Sequence, residues 1–452
     1  MIHYYPSFNR VLEDFSSVNG SQTGICKAII APVVDIQTEP FLKSMTGSMP
    51  AYHRFVLDDP TKDMNYHLSG YGSFYQEALV KFNGESIERY AGVVSSTYAA
   101  EHIVYDSYRN MVKHGKTMPL EYLNLFSDKQ QERISKLLPQ YSPKKLTEDE
   151  IIGWIECPSL VHPGENVWVP KQLFFVGYKH DVEKSEKIIV PSFSTGTASH
   201  KTLKKALINA ITEYLQIDAF VLSWYTLRKS RVVEIDNPIV KKIMQESKLG
   251  ENDSYDVKLL EISMPDVQMP IYMAILLRKD KRLPYMTVGT QGDLDAENGA
   301  LRGIMEATAI ISMNLFISVF DPEKFEFAVK ESAYTDLDTN VYFYAFPSKI
   351  KEKDAIVEAL SGETVKLSEI PSMRGASDDE KLEKLIQLVA GVSEYAVYLD
   401  ITPPEVADKG WSVVRVFNPE ICGMCLPGMP VEDHPRVRKY GGIKNAYPHP
   451  LP

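Results

Sequence analysis

Four cysteines in a chain of 452 residues are too few to brace it with disulfides, which excludes a small disulfide-framed secreted scaffold. Two of them, Cys422 and Cys425, form a C-x-x-C, but no second such pair exists and His434 and His449 are too far apart to complete a zinc site. Two reduced thiols in a loop are the expectation. Positive charge is also scarce: 49 Lys and Arg face 60 Asp and Glu, a net charge of −11. A phosphate backbone or anionic bilayer demands a basic footprint, so neither nucleic acid nor such a membrane surface is expected as the main partner, although a local basic pocket remains open. No apolar run approaches the ~20 residues of a membrane span, and Met1 to Arg10 lacks a basic-then-apolar signal pattern, so a cytoplasmic location is expected. Common catalytic signatures are missing too. There is no G-x-S-x-G, H-E-x-x-H or G-x-G-x-x-G. Gly115-Lys116-Thr117 mimics the end of a phosphate-binding P-loop, but Asn110 stands where its first glycine belongs, so Gly115 reads as the end of a helix.

What is present is ordinary in bulk and unusual in pattern. The 44% hydrophobic and 24% charged content is that of a soluble globular protein, long enough for a large core. One motif occurs twice: Ala78-Leu79-Val80 leads to Glu85-x-x-Glu88, and Ala206-Leu207-Ile208 leads to Glu213-x-x-Gln216. Residues three apart on a helix share a face, so each pair aims its oxygens at one point. Converging carboxylates repel unless a cation lies between them, and hard oxygen ligands suit Mg²⁺ held together with phosphates. The alternative is two solvated helix faces, which the duplication weakens.

Small, hydroxyl-bearing stretches precede both helices, Ser69-Gly-Tyr-Gly-Ser73 and Ser194-Thr-Gly-Thr-Ala-Ser-His-Lys201. As loops opening on helix N-termini they would offer free N–H groups to phosphate, or serve only as caps and turns. A third stretch, Gly289-Thr-Gln-Gly292, leads to Ala300-Leu-Arg302 and Glu306-Ala307 with the same layout; Arg302 is placed either to meet a phosphate or to pair with Glu306.

Strand-like and helix-like runs interleave, which gives an α/β or α+β protein. Residues 1–60 mix short β-like runs such as Ala28–Ala31 with turns, and 74–114 read as two helices. Strands are expected at Trp168–Val169, Leu173–Val176, Val257–Ile262, Ile271–Leu277, Val341–Ala345, Ala396–Asp400 and Ser412–Phe417, with helices at Ile239–Ser247 and Asp378–Ala390. The sequence closes on Tyr447-Pro-His-Pro-Leu-Pro452, whose alternating prolines make a stiff, extended tail. Such a tail either reaches into a cleft to present a carboxylate at Pro452 or follows the usual fate of chain ends and is disordered.

Taken together, the G-x-G stretch with Glu85-x-x-Glu88-Arg89-Tyr90, the Ser194-Thr195-Gly196-x-Ala198 run leading to Glu213-x-x-Gln216-x-Asp218-Ala219, the 289–306 segment and the P-x-P-x-P ending resemble the YcaO family. The likeness is greatest to azoline-forming cyclodehydratases of the streptolysin-S type. The resemblance implies a YcaO-type fold with duplicated loop–helix elements around a nucleotide: 1–68 as the domain's N-terminal segment, 69–310 as its nucleotide-binding core and 311–452 as a C-terminal accessory layer ending in the tail. It implies ATP and Mg²⁺ as cofactors, with Glu85, Glu88 and Glu213 on the metal, Arg89, Ser194, Lys201, Asn209 and Arg302 around the nucleotide, and Gln216 either with the metal ligands or facing the nucleotide. Pro452 would accept a proton. Gly70-Tyr71-Gly72 departs from a frequent Gly-Lys-Gly, Lys201 stands where Asn is common, and Gln216-Ile217 replaces Glu-Arg, which puts the metal stoichiometry in question.

The implied reaction closes Cys, Ser or Thr of a ribosomal precursor peptide onto the preceding carbonyl, giving thiazoline or oxazoline in toxin or bacteriocin maturation. Implied partners are the precursor peptide, a leader-binding protein of the E1-like, ocin-ThiF type and a flavin-dependent dehydrogenase. A homodimer and a membrane-associated complex are both compatible with it. Thioamide formation and a catalytically silent peptide-binding scaffold are the competing readings.

Overall fold

We describe a computed structural model of the chain, covering residues 7–20, 24–26, 28–30, 39–40, 42–58, 67–181, 183–330 and 333–452. Three units carry the architecture, each a strand followed by a long helix. In the first, β3 (His67–Gly72) leads into the helix Tyr75–Tyr98; in the second, β7 (Thr197–His200) leads into Leu203–Thr226; in the third, β11 (Met286–Gly292) leads into Ala296–Phe320. The second helix opens on Thr202, whose side chain accepts the Lys205 N–H, and closes on Leu227 in the left-handed region. From Tyr214 to Thr226 every residue of it is buried. A helix apolar around its whole circumference belongs in the interior, and this one runs through the main core.

Four sheets surround these helices. β1 (Ala28–Ile30), β2 (Lys43–Ser48) and β3 are antiparallel neighbours; β4 (Val104–Ser107), β5 (Ile151–Pro158) and β6 (Asn166–Pro170) form a second antiparallel sheet. The largest has the order β11-β10-β9-β8-β12, with β8 (Ser230–Glu234), β9 (Tyr255–Glu261), β10 (Ile271–Arg278) and β12 (Ser361–Lys366), the last pairing parallel to β8. The fourth is β13-β14-β7, formed by Val397–Asp400, Ser412–Phe417 and β7.

Mixed helix and sheet, the paired strands β9 and β10, the helix Asp378–Ala390 and strands β13 and β14 agree with the sequence pattern, and the expected helix at 239–247 is Pro238–Glu246. Other expectations need correction. The stretches at 69–73 and 289–292 are chiefly strand rather than loop, and of 194–201 the half Thr197–His200 is strand while 194–196 is the expected turn; small residues let the backbone approach a neighbouring element, since a Cβ on Gly70 would lie 2.1 Å from the Ala78 carbonyl oxygen and one on Gly289 2.3 Å from the Ala307 nitrogen. Val341–Ala345 belongs to the helix Thr339–Ala345, and Leu173 and Phe174 to the short helix Lys171–Phe174; both are buried throughout, where an apolar run carries no period to separate strand from helix. The 98–114 stretch is interrupted by β4, and Gly115 does end the helix Tyr108–His114. Of the β-like run at 28–31, Ala28–Ile30 is strand and Ala31 lies outside the described residues.

The division at 310/311 falls inside the Ala296–Phe320 helix, and that at 68/69 falls inside β3. Strands from the C-terminal part complete sheets begun earlier, β12 on β8 and β14 on β7, so residues 311–452 are built into the same body rather than laid over it. The Ala296–Phe320 helix also corrects the expectation about apolar runs: an 18-residue stretch of it, with a mean hydropathy of 1.6, makes it long and apolar enough to cross a membrane by composition. It packs along β10 and β11 and carries Arg302 and Glu306, while 44% of its apolar stretch is buried.

Candidate active site

The three long helices and their strands enclose one cavity of about 1810 Å³. Each unit ties strand to helix by the same device. Glu85 accepts the Ser69 N–H at 2.9 Å, Glu213 that of Gly196 at 3.1 Å, and Glu306 that of Thr290 at 2.6 Å. A charged acceptor makes such a bond stronger than a neutral one, so each helix is clamped at a defined height against its strand. The duplication seen in the sequence is thus the visible part of a threefold pattern, with Glu306 as the member sequence reasoning left as a partner for Arg302. Its signal was present: the strand-to-glutamate spacing of the third unit matches that of the first.

All ten of the sequence-derived site residues line this cavity: Glu85, Glu88, Arg89, Ser194, Lys201, Asn209, Glu213, Gln216, Arg302 and Pro452. The electrostatics of its wall are strained. Burial, with the neighbouring Glu213 adding repulsion, pushes the Glu88 carboxyl well above the carboxylate range. Burial raises Glu213 to about 7 against the pull of Arg89, and raises Glu306 to about 7 in spite of its Thr290 hydrogen bond. These side chains keep some surface toward the cavity, yet protein surrounds them closely enough for desolvation to dominate.

Cations stand among them. Arg89 donates to the Ser194 hydroxyl and lies 3.7 Å from Glu85. Lys81, which sequence reasoning overlooked because it pairs with Glu77 one turn away at 3.0 Å, has its Nζ 4.5 Å over the Tyr71 ring and lines the cavity. Burial lowers its pKa. Arg415 was also missed, since nothing marks an arginine in an apolar strand as belonging to a site far away in sequence. Buried on β14, it donates to the carbonyls of Thr195 (2.6 Å), Phe193 (2.8 Å) and Leu173 (3.2 Å) and to the Thr197 hydroxyl at 2.9 Å. It holds the 193–197 backbone that carries Ser194 and the Gly196 N–H.

Two expected residues are engaged differently from what their types suggested. Gln216 bridges helix to strand: its Nε2 donates to the Thr290 carbonyl and hydroxyl at 3.2 and 2.9 Å, and its Oε1 accepts the Gly292 N–H at 2.9 Å. Lys201, on the rim, lies 3.3 Å from Asp14 and 4.2 Å over the Trp411 ring. The C-x-x-C is structural, since Cys422 and Cys425 are buried thiols whose pKa values burial raises.

The proline tail is docked. The Pro448 carbonyl accepts from Trp224 Nε1 at 3.0 Å and Tyr344 Oη at 2.6 Å, while Asn340 Nδ2 donates to the carbonyls of His449 and Leu451, each at 2.7 Å. His449 and Leu451 are buried, and Pro452 emerges at the cavity wall.

A model of the family described as YcaO cyclodehydratase, ATP- and Mg²⁺-binding, matches residues 69–422. The chain belongs to the YcaO family. Among solved structures it is similar to a heterocyclase in complex with substrate and cofactor (16% identity, TM-score 0.70, covering 98% of this chain and 57% of that one). It is also similar to the YcaO protein of Methanopyrus kandleri bound with AMPPCP and Mg²⁺ (16%, 0.60, 97% and 92%). A third likeness is to the E. coli microcin synthetase McbBCD complex with pro-MccB17 bound (12%, 0.60, 96% and 99%). At these identities the likeness is one of fold, and the chain spans little more than half of the heterocyclase. No curated protein matches it in sequence.

The YcaO cofactors, ATP and Mg²⁺, can be tested against this wall. Among the described residues no three His, Cys, Asp or Glu side chains lie close enough to hold an ion by themselves. Mg²⁺ typically takes one or two carboxylates and completes its shell with water and substrate phosphates, so a pair of these glutamates suffices once a polyphosphate is present. Desolvated carboxyls that repel one another, with Arg89, Arg302 and Lys81 on the same wall, fit a metal–polyphosphate. Glu88, which accepts no hydrogen bond among the described residues, is the carboxylate most available to it.

Proposed function

We propose that this YcaO protein converts Cys, Ser or Thr of a ribosomally made precursor peptide to thiazoline or oxazoline during maturation of a toxin or bacteriocin. The observation that carries this reading is the meeting, in one cavity, of the three clamped units, the arginines and the docked end of the tail. ATP supplies the phosphoryl group that turns the peptide carbonyl oxygen into a leaving group, and Mg²⁺ offsets the charge on its phosphates.

The chain's own residues divide the remaining work. Glu88, with Glu85 or Glu213 beside it, gives the oxygen ligands. Arg89, Arg302 and Lys81 neutralise phosphate charge, and Ser194 and Asn209 border the nucleotide. Arg415 keeps the 193–197 backbone in place. Pro452, where it bears the terminal carboxylate, is positioned by a tail already immobilised through Asn340, Trp224 and Tyr344, and so takes the proton of the attacking side chain with little further loss of entropy. A separate leader-binding protein recruits the precursor, and a flavin-dependent dehydrogenase oxidises azolines to azoles.

The test is mass spectrometry of a precursor peptide incubated with this protein, the leader-binding protein and Mg-ATP. Loss of one water per ring with stoichiometric ADP release is expected, and Glu85→Gln, Glu88→Gln and Glu213→Gln should each abolish it in proteins that still melt cooperatively. ATP consumption without water loss, or ring formation at the wild-type rate in all three variants, would overturn the reading.

A further inference from the structure

The cavity continues past its charges. Beyond Arg302 and Glu306, the Ala296–Phe320 helix lines it with Ile310, Met313, Phe316 and Ile317, and Leu337 faces the same space. These positions recur at the spacing of one helix face. Residues 307–320 carry no charge at all. Met313, Phe316 and Ile317 are only partly covered, and the apolar surface runs out to Val319 and Phe320, 73% and 70% exposed. Apolar surface of this extent, continuous with a catalytic cavity, belongs to a binding groove.

Size and chemistry limit the occupant. A pocket for one small molecule takes about 300–1,000 Å³, and this cavity of about 1810 Å³ leaves room beside a nucleotide. The helix face of this arm is uncharged, and Asp336 and Asp338, which flank Leu337 in the lining, would repel a phosphate. From Ile310 to Ile317 the helix rises ~10 Å, the length of about three residues of extended chain. We propose that this arm holds an extended segment of the peptide substrate next to its reacting residue, so that the enzyme selects apolar side chains within about three residues of the ring to be formed. The proposal rests on the reading of the cavity as a peptide-processing site and adds its sequence preference.

Two measurements separate the two. Short fluorescein-labelled peptides carrying one cysteine, flanked by Leu and Ile or by Ser and Asn, are titrated against the protein by anisotropy, which needs no turnover. The same peptides are then followed by mass for Mg-ATP-dependent loss of water, with the leader-binding protein present. The wild type should bind the apolar peptide about tenfold or more tightly than the polar one, on the scale of burying one or two large side chains. Met313→Asp and Phe316→Asp should erase that difference and leave ATP affinity unchanged. Phe320 stacks on Phe316 at 4.5 Å and belongs to the same stripe; Val319→Asp, at an exposed position outside the cavity wall, should behave as wild type.

Equal binding of both peptides, no binding of either, or variants that keep the preference would overturn the groove. So would a Val319→Asp effect equal to that of Phe316→Asp, with or without a change in sedimentation, which would make the stripe a contact for a second copy or protein partner. Selective peptide binding without water loss would instead defeat the proposed reaction and leave the groove standing.

Discussion

Glu306 allows a quantitative test of whether the cavity wall is built for a cation. Burial raises its pKa to about 7 from the ordinary 4.5, and its bond from the Thr290 N–H does not compensate. A raised carboxyl binds its proton more tightly in the folded than in the unfolded chain, so its stabilising contribution is complete below about pH 4.5 and is lost as pH climbs through about 7. At about 1.4 kcal/mol for each tenfold change in proton affinity, the loss is about 3 kcal/mol once the group is forced to ionise. Glu306→Gln keeps the acceptor for Thr290 and removes the charge. Without nucleotide the variant should therefore match the wild type near pH 4 and exceed it by about 3 kcal/mol near pH 8. With an unfolding entropy of about 2 cal/mol/K per residue, a chain this long gains roughly 3 °C in Tm. Saturating Mg-ATP should stabilise both proteins, which share the Glu88 ligand set, and should narrow the gap near pH 8, since a bound cation lowers the cost of ionising Glu306 in the wild type. The assay is calorimetric melting at both pH values with and without Mg-ATP. An offset of the same size at both pH values, or a variant less stable than the wild type near pH 8 without nucleotide, would refute the argument.

Three further outcomes follow from the same geometry. Appending one Gly after Pro452 should slow ring formation by roughly 10²-fold or more while leaving ATP affinity by calorimetry near wild type; an extended protein that cyclises at full rate removes Pro452 from the reaction. Arg415→Met strands several buried carbonyls and should cost about 3 kcal/mol in urea unfolding while weakening ATP binding, and a variant with wild-type affinity would show that the 193–197 backbone holds itself. The isolated chain should cyclise a leader-bearing precursor slowly or not at all, and the leader-binding protein should restore the rate by raising the effective concentration of substrate; full activity of the chain alone would contradict this.

Much of the site was legible because its determinants are local. Glu85 and Glu88, or Glu213 and Gln216, lie one turn apart on strongly apolar helices, and that spacing alone places them on one face. The P-x-P-x-P ending likewise announced stiffness before it was seen to be docked. What stayed hidden depends on long-range pairing. Nothing near Arg415 in the chain says that β14 pairs with β7, and without that pairing its guanidinium has no reason to meet the Thr195 carbonyl. Strand and loop were confused at 69–73 and 197–200 because Gly, Ser and Thr serve turns well. Here their small size serves close packing of strand on helix instead. The uniform burial of Thr339–Ala345 removed the period that would have marked it as helix.

The threefold pattern also accounts for the amide at Gln216, which from sequence looked like a weakened metal ligand. Within each unit the first glutamate is committed to backbone at its own strand, Glu85 and Glu306 to an N–H within it and Glu213 to one at the turn just before it. The residue three places on is Glu88, Gln216 or Ala309, and only Glu88 keeps a carboxylate without a hydrogen bond among the described residues. Gln216 must donate to the Thr290 carbonyl and accept from the Gly292 N–H at once. A carboxylate can accept but cannot donate, so Glu at this position would set a buried negative charge against a carbonyl oxygen and loosen β11 from the second helix. Since β11 also positions Glu306 through Thr290, the amide joins the second unit to the third and fixes the cavity wall that the nucleotide meets. The negative charge given up at Gln216 is one fewer to neutralise in a wall whose remaining carboxyls are already pushed toward protonation, which supports the proposal that a metal ion would be held chiefly by the first unit, at Glu88.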